Sequence, residues 1–222
     1  MRLFRRNLQS GHGSAAGSDP KRCPVCGSTS FRGDRLTCTQ CTHGDRHRAV
    51  FAFYELIRPN LTNRRALIFS GENWLQDDWF ASCERSFYGI ENHLDVQSVD
   101  RPDESYDWVV CNHVLEHVEN DVAAIGEMRR ILSGDGVAQI TVPSPARKLK
   151  TLDWGYPNEE KHGHYRSYGG DMLRKLGSPV MTVVVADGLT THRDVLFLVA
   201  RSERPLYGLA DRLRNKLICL MF

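Results

Sequence analysis

Four of the seven cysteines fall within 19 residues, as Cys23-Pro24-Val25-Cys26 and, after eleven intervening residues, Cys38-Thr39-Gln40-Cys41. Each Cys-x-x-Cys turn presents two thiolates to one ion while its backbone N–H groups point at the sulfurs. Gly27 supplies permissive backbone just after the first turn. The stretch between the pairs, Ser30 to Thr37, contains a Gly33-Asp34 turn and suits a short hairpin. This is a zinc-ribbon layout, in which four thiolates fill the tetrahedron and the Zn2+ is structural. His43 and His47 then read as surface histidines. Redox dithiols or disulfides are the alternative, and they fit poorly in a chain without a thioredoxin-like strand–helix context.

Three further histidines carry a second kind of chemistry. His113, His117 and His164 are candidate catalytic bases, because imidazole is the side chain suited to proton transfer at working pH, with His117 first because it follows a turn expected at the rim of the site. A structural hydrogen bond or cap is the other reading of each. The segment Pro143–Gly169, with Trp154, Tyr156, Tyr165 and Tyr168, is expected to roof the pocket, where aromatic side chains serve either substrate contact or packing.

These residues need a scaffold, and the pattern from Arg48 onward alternates helices with buried strands. Residues 49–57 have helical spacing and stop before Pro59; Ala66–Phe69 is a continuous apolar run ending in Ser70-Gly71, as in a strand buried on both faces. A helix is expected over Trp74–Ser82, a strand over Arg85–Glu91 and another over Asp107–Asn112. The next helix starts at Glu119-Asn120-Asp121, places Val122, Ile125, Met128 and Leu132 on one stripe, and stops at Ser133–Gly136. Val137–Val142, a helix near Asp171–Leu176, Val180–Ala186 and Val195–Ala200 follow. This order implies an α/β fold, a mostly parallel sheet with helices on both faces.

Ligands of such sheets bind beyond the carboxyl ends of the strands. That singles out Ser70, Gly71 and Glu72, then Glu91, Asp95 and Val96, then Asn112 and His113. The stretch around them, with Leu94-Asp95-Val96, Tyr106-Asp107-Trp108-Val109-Val110-Cys111, Asn112-His113-Val114-Leu115-Glu116-His117 and Arg129-Arg130-Ile131-Leu132-Ser133-Gly134, resembles the central block of class I methyltransferases that use S-adenosylmethionine. The four cysteines and His164-Tyr165-Arg166-Ser167-Tyr168-Gly169 resemble the subset that carries an N-terminal zinc ribbon. The resemblance covers residues 62 to about 200 and implies a Rossmann-like sheet. It further implies that Gly71 and Glu72 lie against the methionine end of the cofactor, with Ser70 a further cofactor-binding candidate, that Glu91 holds the ribose, that Asp95 and Val96 flank the adenine, and that Asn112 and His113 close the site. The family's first motif is a run of alternating glycines, whereas this chain offers Gly71 alone.

The 222 residues are 41% hydrophobic and 25% charged, which excludes disordered, collagen-like and disulfide-knot proteins. No apolar run is long enough to span a membrane and the N-terminus lacks a signal-peptide core, so a cytoplasmic location is expected. Residues 1–50 carry +6 and the rest −4, an asymmetry that argues for two units. The expected organisation is a flexible tail over 1–20, a ribbon over 21–48, the methyltransferase domain over 49–204 and an amphipathic C-terminal helix over 205–222. That helix docks on the domain, on a second subunit to make an oligomer, or on a membrane surface. The expected substrate is a small molecule or a sugar-like compound, methylated on O, N or C. The competing readings are an RNA or protein substrate docked by the basic ribbon, and a non-catalytic binding protein.

Overall fold

The computed structural model describes residues 20–69, 71–90, 92–214 and 216–221. The expected tail over 1–20 falls, but for Pro20, outside the described residues.

The N-terminal hairpin, β1 (Phe31–Arg32) and β2 (Thr37–Cys38), leads into α1 (Asp45–Ile57). The chain then forms β3 (Arg65–Phe69), β4 (Ser82–Ser86), β5 (Tyr106–Asn112), α2 (Asp121–Ile131) and β6 (Leu132–Thr141). A second hairpin, β7 (Leu152–Asn158) and β8 (His164–Ser167), precedes α3 (Met172–Leu176), β9 (Val180–Ala186), β10 (Arg193–Ala200), α4 (Glu203–Leu213) and β11 (Ile218–Met221).

Seven strands form one sheet in the order β11-β9-β10-β6-β5-β3-β4. The expected mostly parallel sheet is parallel across β4-β3-β5-β6 and antiparallel across β6-β10-β9-β11. Antiparallel pairing follows where the connection is short: only residues 187–192 join β9 to β10, too few for a crossover helix. Side chains alternate between two cores. Ala66, Ile68, Trp108 and Val110 face α1 and α4; Leu67, Phe69, Val109 and Cys111 face α2 and α3.

Asp107, the second residue of β5, pins that strand to β3. Its carboxylate accepts from the Arg65 backbone N–H and guanidinium at 3.0 Å and from the Ser133 hydroxyl at 2.7 Å.

Four expectations change. The helix expected over Trp74–Ser82 is instead an irregular turn with one 3-10 segment, Asp77–Trp79. Its carbonyls at Glu72 and Leu75 accept from the Arg85 guanidinium, and Trp74, Leu75 and Trp79 are buried, with Trp74 and Trp79 edge-on or tilted against Phe51. Packing of the aromatics and one arginine thus replace the helical ladder. The following strand is Ser82–Ser86 rather than Arg85–Glu91, because β4 takes its register from β3, Phe69 opposite Ser86. On α2 the buried stripe is Ala124, Ile125, Met128 and Ile131; Val122 is exposed, and the stop expected at Ser133–Gly136 lies within β6. The C-terminal segment is not one helix. Helix α4 buries Leu206, Leu209 and Leu213 on the chain's own sheet, and β11 then pairs with the edge of β9.

The boundary expected between residues 48 and 49 falls inside α1. Arg48 is fully buried there: Nη2 and Nε donate to Asp187 Oδ2 at 2.7 and 3.2 Å, Nη1 to the carbonyls of Leu36 and His43, and Nη2 to that of Arg35. One side chain therefore fastens the cysteine-bearing hairpin to the β9–β10 loop.

Candidate active site and cysteine cluster

Strand order reverses between β3 and β5: the chain leaves β3 toward β4 on one side and reaches β5 and β6 on the other. The carboxyl ends of β3 and β5 therefore bound a crevice. Gly71, just past β3, adopts φ +47°, and a Cβ there would lie 3.1 Å from the Phe87 ring. Only glycine takes this conformation against this ring without strain. An open cleft of about 470 Å³ lies beside it, lined among others by Gly71, Gln76, Asp77, Arg85 and Phe87.

Glu72 is largely buried. Burial raises its carboxyl above the usual range, opposed by hydrogen bonds from Trp74 Nε1 and Asn112. Asn112, at the end of β5, continues a buried polar chain: its Oδ1 accepts from Gln139 Nε2 at 2.7 Å and Thr141 Oγ1 at 2.8 Å. Tyr54 then donates to Gln139 Oε1 at 3.0 Å and accepts from Trp108 Nε1 at 2.9 Å. Inside a low-dielectric core such a chain fixes the orientation of every member, Asn112 and Glu72 included.

His113 follows in the left-handed region, φ +53°, held by its N–H to the Thr141 carbonyl at 3.0 Å. Its Nδ1 lies 3.2 Å from Glu116 Oε1. His113 lines two spaces, a small cavity against Glu72, Trp74 and Asn112, and a cleft of about 360 Å³ between the cysteine-bearing hairpin and the sheet. That second cleft is also lined by Arg35, Asp45, His47, His192 and Asp194. Burial, with Arg46, His43 and His113 adding, lowers His47 to about 4, so it is neutral at pH 7. Burial likewise raises Asp194.

The structure brings Glu72, Asn112 and His113 together around one small cavity, with Gly71 next in the chain to Glu72 and lining the open cleft. Asp95 and Val96 do not join them. Asp95 is exposed and closes its own turn, its Oδ1 accepting from the Gln97 N–H at 2.9 Å, and Val96 is buried in the α2-side core. Ser70 and Glu91 lie outside the described residues.

His117 and His164 meet edge-on, ring centroids 4.6 Å apart. Burial lowers His164, and the neighbouring imidazoles of His117, His162 and His113 add to this against Glu116. The turn that bears His117 is held by Arg166 of β8, which donates to the carbonyls of Leu115, Val118 and Glu119. Tyr168 is buried and donates to Asp121 Oδ2 at 2.8 Å, a packing role, whereas Tyr156 is exposed. The sequence assigned no role to Phe87, Arg85, Arg166 or the Tyr54–Gln139 pair. A buried Tyr and Gln on different elements leave no spacing signal, because only the fold makes them neighbours.

The cysteine cluster closes at the hairpin. Cys23 Sγ lies 3.7 Å from Cys41 Sγ and Cys26 Sγ 3.6 Å from Cys38 Sγ, and all four sulfurs fall within 4.8 Å of one another. These are free thiols, well beyond the roughly 2.05 Å of a disulfide. Four sulfurs at about 2.3 Å from one tetrahedral ion sit about 3.8 Å apart, close to what is found. Backbone N–H groups of Val25 and Cys26 reach Cys23, and those of Gln40 and Cys41 reach Cys38.

Comparison with known proteins gives a match of residues 15–177 to a family described as a methyltransferase domain. No curated protein matches. Among solved structures, the YcgJ protein from Bacillus subtilis is 14% identical, with 60% of this chain and 70% of that one covered and a TM-score of 0.44. A 1,6-didemethyltoxoflavin-N1-methyltransferase from Burkholderia thailandensis, solved with S-adenosylhomocysteine, is 14% identical, covers 68% of this chain and 76% of its own, and has a TM-score of 0.45. A possible histamine N-methyltransferase from Thermotoga maritima is 14% identical over 68% of this chain and 89% of its own, with a TM-score of 0.41.

Proposed function

The chain belongs to the methyltransferase-domain family of class I, S-adenosylmethionine-dependent enzymes, and from that premise we propose that it transfers a methyl group from S-adenosylmethionine to an O, N or C acceptor of a small-molecule or sugar-like substrate. The observation that carries this reading is the position of His113, which borders both the cavity at Glu72 and Asn112 and the cleft under the cysteine-bearing hairpin. That small cavity is shared with Glu72, next in the chain to Gly71 of the open cleft, so His113 links the residues of the cofactor reading to the acceptor cleft.

The residues fit the cofactor. The cleft beside Gly71 has the volume of a small-molecule site, and the lack of a Cβ at residue 71 leaves backbone open to a ligand. When bound, S-adenosylmethionine supplies an activated sulfonium methyl, so the protein's work is mainly alignment. Gly71, Glu72 and Asn112 are its holders in this reading, and Phe87 offers a ring face. His113, oriented by Glu116, takes the acceptor's proton where one must leave. This assigns His113 the role that the sequence placed first on His117, because a carboxylate orients it. Calorimetry with S-adenosylmethionine and its demethylated product tests the cofactor step; binding is expected, and its absence at millimolar ligand overturns the enzyme reading. In an acceptor panel with labelled methyl donor, His113→Asn is expected to lower kcat roughly 10²–10⁴-fold for an acceptor that loses a proton.

The four thiols support a structural Zn2+ held by Cys23, Cys26, Cys38 and Cys41, with no ligand position left for substrate. With α1 running unbroken from hairpin to sheet, this ribbon, residues 21–48, acts as a wall of the acceptor cleft.

A further inference from the structure

We propose that Glu116, His117 and His164 form a second metal site, binding one divalent first-row transition-metal cation. A carboxylate oxygen of Glu116 and one ring nitrogen from each histidine lie within 4.8 Å of one another. The decisive observation is the state of Glu116. Its side chain is 1% exposed, Oε1 lies on His113, and Oε2 is buried with no hydrogen-bond partner among the described residues. A buried carboxylate oxygen left bare is costly unless a cation meets it.

The surroundings suit an ion. His117 is exposed and His164 partly so, which leaves the side away from Glu116 open. Two imidazoles and one carboxylate are the donor set of open sites for zinc or iron(II), with remaining positions for water. The turn is rigid because Arg166 holds three of its carbonyls, and the charge of Arg166 is met by Asp153 at 2.8 Å and Asp121 at 3.6 Å. His162, 6.0 Å from the His164 ring, and His113 are the other titratable neighbours. Glu116 then joins a metal through Oε2 to His113 through Oε1, as carboxylates in metal sites commonly bridge an ion and a histidine. An oxygen of the acceptor is a candidate for an open position, a clause that rests on the methyl-transfer reading.

The experiment needs neither methyl donor nor acceptor. The full chain is dialysed to equilibrium against dilute Zn2+, and bound metal is counted for the wild type, His117→Ala, His164→Gln and Cys23→Ser, with circular dichroism recorded for each. His117→Ala and His164→Gln are each expected to bind one equivalent less than the wild type with unchanged spectra, about tenfold or more weaker at that site. In Co2+ the lost equivalent carries no thiolate charge-transfer band, since that band belongs to the cysteines. Equal metal content in the wild type and both histidine variants overturns the proposal. Cys23→Ser separates the two sites: its loss of a different equivalent, with the histidine equivalent retained, supports the proposal even if the methyl-transfer reading fails.

Discussion

At the scale of single residues, the candidate site is built on side chains whose neighbours dictate their state. Gly71 is the sharpest case, since its left-handed backbone and the Phe87 ring 3.1 Å from a would-be Cβ both demand glycine. Gly71→Ala is expected to cost about 1–3 kcal/mol of stability, read as a shift in urea midpoint, and to weaken S-adenosylmethionine binding in calorimetry. His47 sets a pH dependence. Its folded value is about 4, below the ordinary histidine value, so the unfolded chain binds the proton more tightly. The contribution of this residue therefore falls as pH drops from about 6.5 toward 4, where the unfolded chain is protonated and the native one is not, and it is level above that window. Urea unfolding across that range should show the decline, and His47→Gln should flatten it. The gathering of the four cysteines was legible because two Cys-x-x-Cys turns leave a signal in adjacent positions. The Glu72–Asn112–Gln139–Tyr54 chain was not, because its members come from the loop after β3, the end of β5, the body of β6 and a helix.

At the scale of elements, β5 and β9 were readable from their apolar runs and the start of α2 from its polar cap, though not its stripe, and β9 falls on Val180–Ala186 as the apolar run marks it. Asn120 caps α2, its Oδ1 accepting from the Ala123 N–H at 2.9 Å. The missing helix between β3 and β4 was not readable. Trp74, Leu75, Trp79 and Phe80 have helix-compatible spacing, but the core draws all four inward at once and Arg85 satisfies the carbonyls that result. The one-glycine first motif and this absent helix go together: without a helix N-terminus there, no glycine run is needed to bring backbone amides to a ligand. Helix α1 carries the other lesson. Its first turn belongs to the hairpin and the rest to the sheet, and Arg48 closes both. Arg48→Met should cost about 3–5 kcal/mol, since it leaves Asp187 buried without its partner. The measurement is denaturant unfolding, with a lower midpoint at constant m expected.

At the scale of the whole molecule, the charge asymmetry that suggested two units describes composition, while the packing describes one body. Lys21 reaches the Leu189 carbonyl, His43 Nε2 lies 2.8 Å from Asn73 Oδ1, and Arg48 ties residues 35, 36 and 43 to Asp187. On the proposed reading of a zinc held by the four thiols, its removal should therefore loosen more than the hairpin. Hydrogen exchange after chelation is expected to accelerate in residues 21–48 and also in the β9–β10 loop, with β5 and β6 unaffected; protection retained at Asp187 and Thr190 would show that the hairpin and sheet are independent.

Trp74, which lines the small cavity shared by Glu72, Asn112 and His113, is buried and donates its indole N–H to Glu72. An indole hydrogen-bonded to a carboxylate beside a ligand place is an optical probe supplied by the chain itself: its emission responds when that carboxylate is displaced or neutralised. With Trp79, Trp108 and Trp154 replaced by phenylalanine, ligand entry becomes visible in real time without a label or a coupled assay.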